Sequence, residues 1–177
     1  MPDKWANKGG DQSGCCAGGI RAALAGCFPL WRSAPKPTLS QEDFEKLISF
    51  LGAVPIFRKQ LPRSELPRVA EAFKENVWQP GSSVIQRGKD GKAFFIIKSG
   101  EASVLTPDDK GEETERTTLY ALDYFGGHTL IERRPNVATI IAKGPAPLVT
   151  LSVDRKDFEA LGLHTLMKFP RRPAIYE

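Results

Sequence analysis

Residues 125–141, FGGHTLIERRPNVATII, hold the densest set of groups able to recognise a ligand in this chain. The Gly126-Gly127 bend runs into a short helix-like stretch, then Arg133-Arg134-Pro135, then a β-branched strand segment. A glycine-rich bend that opens a helix turns successive backbone N–H groups toward one point, which suits a phosphate or another anion. Thr129 adds a hydroxyl, Asn136 an uncharged amide, and His128 a titratable ring beside the bend. Phe125 precedes the bend, and Val137 and Ala138 follow the loop. Arg133 and Arg134 lie within three residues of Asn136. A guanidinium reaches several ångströms, so either is a candidate for the anion. The other reading leaves both solvated beside Glu132 as a loop tip.

Bond-making chemistry finds little support. The only histidines are His128 and His164, with no carboxylate pattern that would complete a metal site. No Ser-His-Asp or Cys-His spacing occurs, because Cys15, Cys16 and Cys27 all fall in the first 40 residues. The expectation is no catalytic residue, no metal and no enzyme. The charge excess is only +4, from 25 basic and 21 acidic residues. That is too mild for a nucleic-acid footprint, and no helix-turn-helix fits after the last strand.

The elements that must position the bend are legible in the pattern. The first 38 residues read as a low-complexity tail that is rich in glycine and ends in a proline linker. From Leu39, Thr38 or Ser40 can cap a helix with Glu42 and Asp43 in its first turn. Phe44, Leu47, Ile48 and Leu51 form its apolar face. After a break at Gly52–Pro55, Leu61-Pro-Arg-Ser64 opens a second helix, with Pro67 in the first turn. Seven candidate strands follow: Val77–Gln79, Val84–Arg87, Phe94–Lys98, Ala102–Thr106, Thr114–Ala121, Val137–Ala142 and Leu148–Val153. A last helix begins at Asp154 as cap and stops at Gly162. The fold class is α+β: an antiparallel β-roll or jelly roll flanked by N- and C-terminal helices. The domain is placed at residues 39–165, with a basic tail over 166–177.

The spacing of Phe125-Gly126, Pro135 and Ala138-Thr139 resembles the phosphate-binding cassette of cyclic nucleotide-binding domains, as in the cAMP- and cGMP-dependent protein kinases. A second block, Gln86-Arg-Gly88-Lys-Asp-Gly91 through Phe94 to Gly100, is similar to the strand turns of that β-roll. Gly88 and Gly91 are expected to supply positive φ, and Gly100 to serve the next turn. The resemblance implies a non-catalytic regulatory module for cAMP or cGMP, with a protein kinase catalytic domain as partner. In the family a glutamate for the ribose hydroxyl stands where this chain has Gly127. An arginine for the cyclic phosphate stands where it has Asn136. Weakened or altered ligand choice is implied, and another purine nucleotide or nucleoside becomes a candidate ligand. The alternative is a docking module that keeps the β-roll and binds only protein. The family's hydrophobic lid corresponds to Leu163–Phe169, with Tyr120 and Tyr124 near the pocket or in the core.

Two terminal signals complete the reading. Arg171-Arg172-Pro173-Ala174-Ile175 resembles a kinase pseudosubstrate, or is a basic tail with a chance match. Cys15 and Cys16 near Lys4 and Lys8 are candidates for acylation and peripheral membrane contact, although Met1-Pro2 excludes myristoylation as the second lipid signal. No run of the roughly 18 apolar residues needed to span a bilayer occurs, and a cytoplasmic, reducing setting fits the cysteine usage.

Overall fold

Helix α1, Gln41–Ala53, starts where the Ser40 hydroxyl accepts the Asp43 N–H at 3.1 Å, and Glu42 and Asp43 face the positive end of its dipole. The computed structural model describes residues 39–170. Leu47 and Leu51 are the buried positions of α1. Helix α1 runs through Gly52, so the break read at Gly52–Pro55 shrinks to Val54, and a further helix not read from the pattern, α2, Pro55–Gln60, follows it. Proline at its first position needs no N–H donor and already has a helical φ, so it starts a helix as readily as it ends one. A 3-10 turn, Arg63–Glu65, leads into α3, Leu66–Ala70, where Pro67 sits in the first turn as expected.

Eight strands follow: β1 Lys74–Trp78, β2 Ser83–Ile85, β3 Ala93–Ser99, β4 Glu101–Pro107, β5 Glu113–Leu119, β6 Tyr124–Phe125, β7 Thr139–Lys143 and β8 Leu148–Asp154. They form two four-stranded antiparallel sheets, ordered β1-β8-β3-β6 and β2-β7-β4-β5. The two-residue β6 escaped the sequence pattern because a period of two needs more than two residues to show. Helix α4, Gly127–Glu132, leaves β6 directly. Helices α5, Arg155–Ala160, and α6, Leu163–Leu166, follow β8 and turn at Gly162, whose φ is 71°.

Strand β3 explains the layering. Phe94 and Ile96 point into a core made with the helices, where Leu51, Phe57, Phe158 and Leu163 are buried. Ile97, on the opposite face, packs between the two sheets with Val104, Phe125 and Ile140. Both faces are dry, so the strand reads as continuously apolar rather than alternating. Each such side chain contributes roughly 1.5–3 kcal/mol of burial. The buried Thr150 hydroxyl accepts the Trp78 indole N–H at 2.9 Å, so this polar group is satisfied.

Three local expectations need correction. Asp154 occupies the cap position of α5 without capping it, because its carboxylate is drawn 2.7 Å from Lys74 Nζ. Gly91 is not in the positive-φ region, unlike Gly88 (76°) and Gly100 (88°). It must be glycine for space: a Cβ there would lie 2.7 Å from Thr129 Oγ1. The packed chain also runs past residue 165, since Met167 is 2% exposed and Phe169 joins the aromatic core. Hydrophobic anchors in residues otherwise read as a tail extend the body to Pro170. The Arg171–Ile175 motif and the tail cysteines lie outside the described residues.

Candidate functional site

The bend after β6 is forced by close packing. Gly126 has φ 82°, and a Cβ on it would stand 2.6 Å from the Ala93 carbonyl oxygen of β3. The chain therefore turns against the sheet edge and enters α4 with Gly127, His128 and Thr129 as its first residues. First-turn N–H groups have no partner within their own helix. They stand beside a cavity of about 90 Å³ between the cassette and the second sheet. Val104, Leu119 and Ile140 line its apolar side, and Phe169 and Pro170 cover it.

The structure brings Phe125, Gly126, Gly127, His128, Thr129, Asn136, Val137 and Ala138 together around this cavity. Arg134 is not among them. Its side chain is 71% exposed and lies 3.8 Å from Glu132 Oε2. Arg133, in the left-handed region at φ 53°, reaches away from the cavity to Glu159 Oε1 at 3.1 Å. No lysine or arginine lines the cavity among the described residues. His128 Nε2 lies 3.3 Å from Glu132 Oε1, one helical turn along. Tyr124 lines the cavity, whereas Tyr120 is 56% exposed.

Asn136 is 8% exposed, and its amide is engaged on the protein side. Thr129 Oγ1 is 3.0 Å from Asn136 Oδ1 and 3.2 Å from the Gly126 carbonyl, so its single proton is shared between two acceptors. Asn136 Nδ2 donates to the Gln86 carbonyl at 3.3 Å. The Asn136 backbone bonds both Lys89 and Gly88 at 2.8 Å. Arg155 supports the same loop from below by donating to the Gly91 carbonyl at 2.5 Å. The cassette and the β2–β3 turn are thus one hydrogen-bonded unit.

Opposite Asn136, the space beside Gly127 is filled. A Cβ at residue 127 would fall 2.5 Å from the Phe169 ring. That ring packs on Phe94, Tyr124 and Phe158 at centroid distances of 5.2, 5.8 and 6.3 Å. The family resemblance implies a lid over Leu163–Phe169. Nothing in the local pattern shows that the Phe169 ring lands on Gly127. Gln60, which ties the lid to α2, also carries no sequence signal.

An antiparallel β-roll with a glycine bend, a short helix and a partly open cavity at the bend defines a small-ligand-binding module. The chain belongs to the cyclic nucleotide-binding domain family, whose model matches residues 75–164. It is 38% identical over 96 residues to a cAMP-dependent protein kinase regulatory subunit from Blastocladiella emersonii, covering 54% of this chain and 24% of that protein. It is 39% identical over 105 residues to the corresponding subunit from Yarrowia lipolytica, covering 59% and 27%. The chain thus spans about a quarter of the length of these curated relatives. Among solved structures, it superposes on the regulatory subunit of a cAMP-independent protein kinase A from Trypanosoma cruzi bound to guanosine. That match has a TM-score of 0.62 and 26% identity, covering 76% of this chain and 44% of the other. Among the described residues no helix is long and apolar enough to cross a membrane, and no cluster of His, Cys, Asp or Glu could hold a metal ion.

Proposed function

We propose that this chain is a non-catalytic regulatory module of the cyclic nucleotide-binding type, linked to protein kinase control, with a weakened grip on cAMP and cGMP. The observation that carries the reading is the buried amide of Asn136, which is bonded to Thr129 and Gln86 where the family resemblance expects an arginine. An anion entering the cavity meets backbone N–H groups and no side-chain cation. Losing a charge-assisted contact costs roughly 1.5–3 kcal/mol, and two are lost when Gly127 is counted. A neutral purine nucleoside loses less by this change, and the apolar walls suit its base. The guanosine in the trypanosomal relative supports that ligand class. A kinase catalytic domain is the partner that the relatives suggest.

Calorimetric titration of the full chain with cAMP, cGMP and guanosine tests the reading. Guanosine is expected to bind more tightly than either cyclic nucleotide. Sub-micromolar binding of cAMP or cGMP would overturn the claim of weakening.

The second reading is a docking module that binds only protein, and the Phe169 ring seated beside Gly127 favours it. Under that reading no purine ligand binds, and a kinase or scaffold co-purifies with the full chain.

A further inference from the structure

Residues 167–170 form a strap that runs from the helical core to the cavity, which Phe169 and Pro170 line. Met167 anchors it in the helical core at 2% exposure. At Lys168 both ends of one amide side chain grip the backbone: the Lys168 N–H donates to Gln60 Oε1 at 2.6 Å, and Gln60 Nε2 donates to the Lys168 carbonyl at 3.0 Å. The pairing is that of one rung of a β-ladder, made by a side chain. Gln60 ends α2, and that helix is set in the core by Phe57, whose ring stands 6.2 Å from Phe94. The next residue, Phe169, is thereby delivered onto Phe94 and over Gly127.

The cavity left under the ring is small. At about 90 Å³ it falls well below the roughly 300–1,000 Å³ of ordinary small-molecule sites. A purine ligand needs the space that the ring holds, and the backbone that carries the ring is tied to α2 through Lys168. We propose that Phe169 is an internal occupant of the ligand site and that Gln60 is the positioning residue that keeps it there. This rests on reading the cavity as a purine site. Two consequences follow from the geometry. The ligand best able to exchange with Phe169 has a flat aromatic face, since the vacated contacts are Phe94 and Tyr124. Occupancy is also linked to α2, because the displaced strap loses both bonds to Gln60. Ligand binding and release of the strap are then reciprocal.

The test uses the full chain as wild type, Phe169→Ala and Gln60→Ala, with guanosine and cAMP titrated calorimetrically. Hydrogen exchange is followed at the Lys168 amide. Gln60 does not line the cavity, so any affinity gained on its loss comes from freeing the ring rather than from new space. It also removes no core atom, which guards against a Phe169→Ala variant that fails to fold. The expected result is faster Lys168 exchange in Gln60→Ala, guanosine binding about tenfold tighter in that variant, and a larger gain in Phe169→Ala. Wild type binding guanosine as tightly as both variants would overturn the inference and leave the purine-site reading standing. No binding of either probe in all three proteins would overturn both. Faster exchange in Gln60→Ala with unchanged affinity, while Phe169→Ala tightens, would remove Gln60 from the proposal.

Discussion

The hydroxyl of Thr129 and the side-chain oxygen of Asn136 meet at 3.0 Å beneath the cassette, joining α4 to the loop that follows it. An amide at residue 136 therefore acts as a brace. It closes a circuit that runs from Thr129 through Asn136 to the Gln86 carbonyl, with Gly91 packed against Thr129 and fixed by Arg155. Under the proposed function the same position is where a cyclic phosphate would need a cation, so on that reading bracing and phosphate binding compete for one residue.

Asn136→Ala removes that brace. The Gln86 carbonyl loses its amide donor, while Thr129 keeps the Gly126 carbonyl as acceptor. The expected loss is about 1–3 kcal/mol in urea denaturation. Thr129→Val leaves Asn136 Oδ1 without the hydroxyl and costs a similar amount. In the double variant the losses are less than additive, because both changes break one contact.

Gly126 and Gly111 have nearly the same φ, 82° and 84°, yet different surroundings. A Cβ at Gly111 meets nothing within 4 Å, whereas at Gly126 it meets the Ala93 carbonyl at 2.6 Å. Gly111→Ala is expected to cost only the left-handed backbone penalty, about 1–2 kcal/mol. Gly126→Ala adds overpacking against backbone, for a total of roughly 2–5 kcal/mol. Chemical denaturation of both variants separates the two terms. Equal losses would show that the approach of Gly126 to β3 relaxes freely.

What the sequence disclosed and what it hid divide along physical lines. The Gly88 and Gly100 turns and the Ser40 cap were readable, because each depends on a residue type at one place in the chain. The strands from β3 onward, except the two-residue β6, were readable through β-branched and aromatic runs bounded by turns. Gly91 was assigned to glycine for the wrong reason, since its constraint comes from Thr129, 38 residues away. Asp154 went to Lys74, 80 residues away, instead of capping α5. The glycine bend and its short helix could be located from spacing, but the ring of Phe169 on Gly127 and the Gln60 grip on Lys168 are long-range contacts with no periodic signature. Those contacts decide how much room the site has.

The exposed ion pairs give a pH signature of known sign. Hydrogen bonds from Lys143 and Thr118 hold the Glu115 carboxyl below its ordinary value of 4.5. Its contribution to stability is therefore complete above 4.5 and is lost as pH falls through the lowered value. The hydrogen bond and charge of Asp154 raise Lys74 above 10.5, so that contribution is present below 10.5 and disappears as pH rises through the raised value. Both pairs are solvent-exposed, so both effects are small and shrink with salt. Urea midpoints should show a shallower acid limb in Glu115→Gln, and a shallower alkaline limb in Asp154→Asn. Unchanged limbs at low salt would show that the pairs are absent in solution.

Restoring a charged grip should fail unless the ring is removed first. In Gly127→Glu/Asn136→Arg, the new glutamate stem collides with Phe169, whose ring lies 2.5 Å from the position of its Cβ. The new arginine replaces an amide bonded to Thr129 and Gln86, so it enters a buried place without a partner until phosphate arrives. The double variant is thus expected to be less stable than wild type and to gain little affinity for cAMP. Adding Phe169→Ala opens the space beside residue 127, which lets a carboxylate and a guanidinium reach a nucleotide together. Two charge-assisted contacts at roughly 1.5–3 kcal/mol each correspond to about a hundred- to ten-thousand-fold tighter cAMP binding. Calorimetry on the wild-type, double and triple variants measures this directly, with cAMP raising the melting temperature only in the triple variant. A full gain already in the double variant would mean that Phe169 yields to a side chain at residue 127 at little cost. No gain in the triple variant would mean that the walls around Val104 and Ile140, rather than the missing charges, exclude the nucleotide.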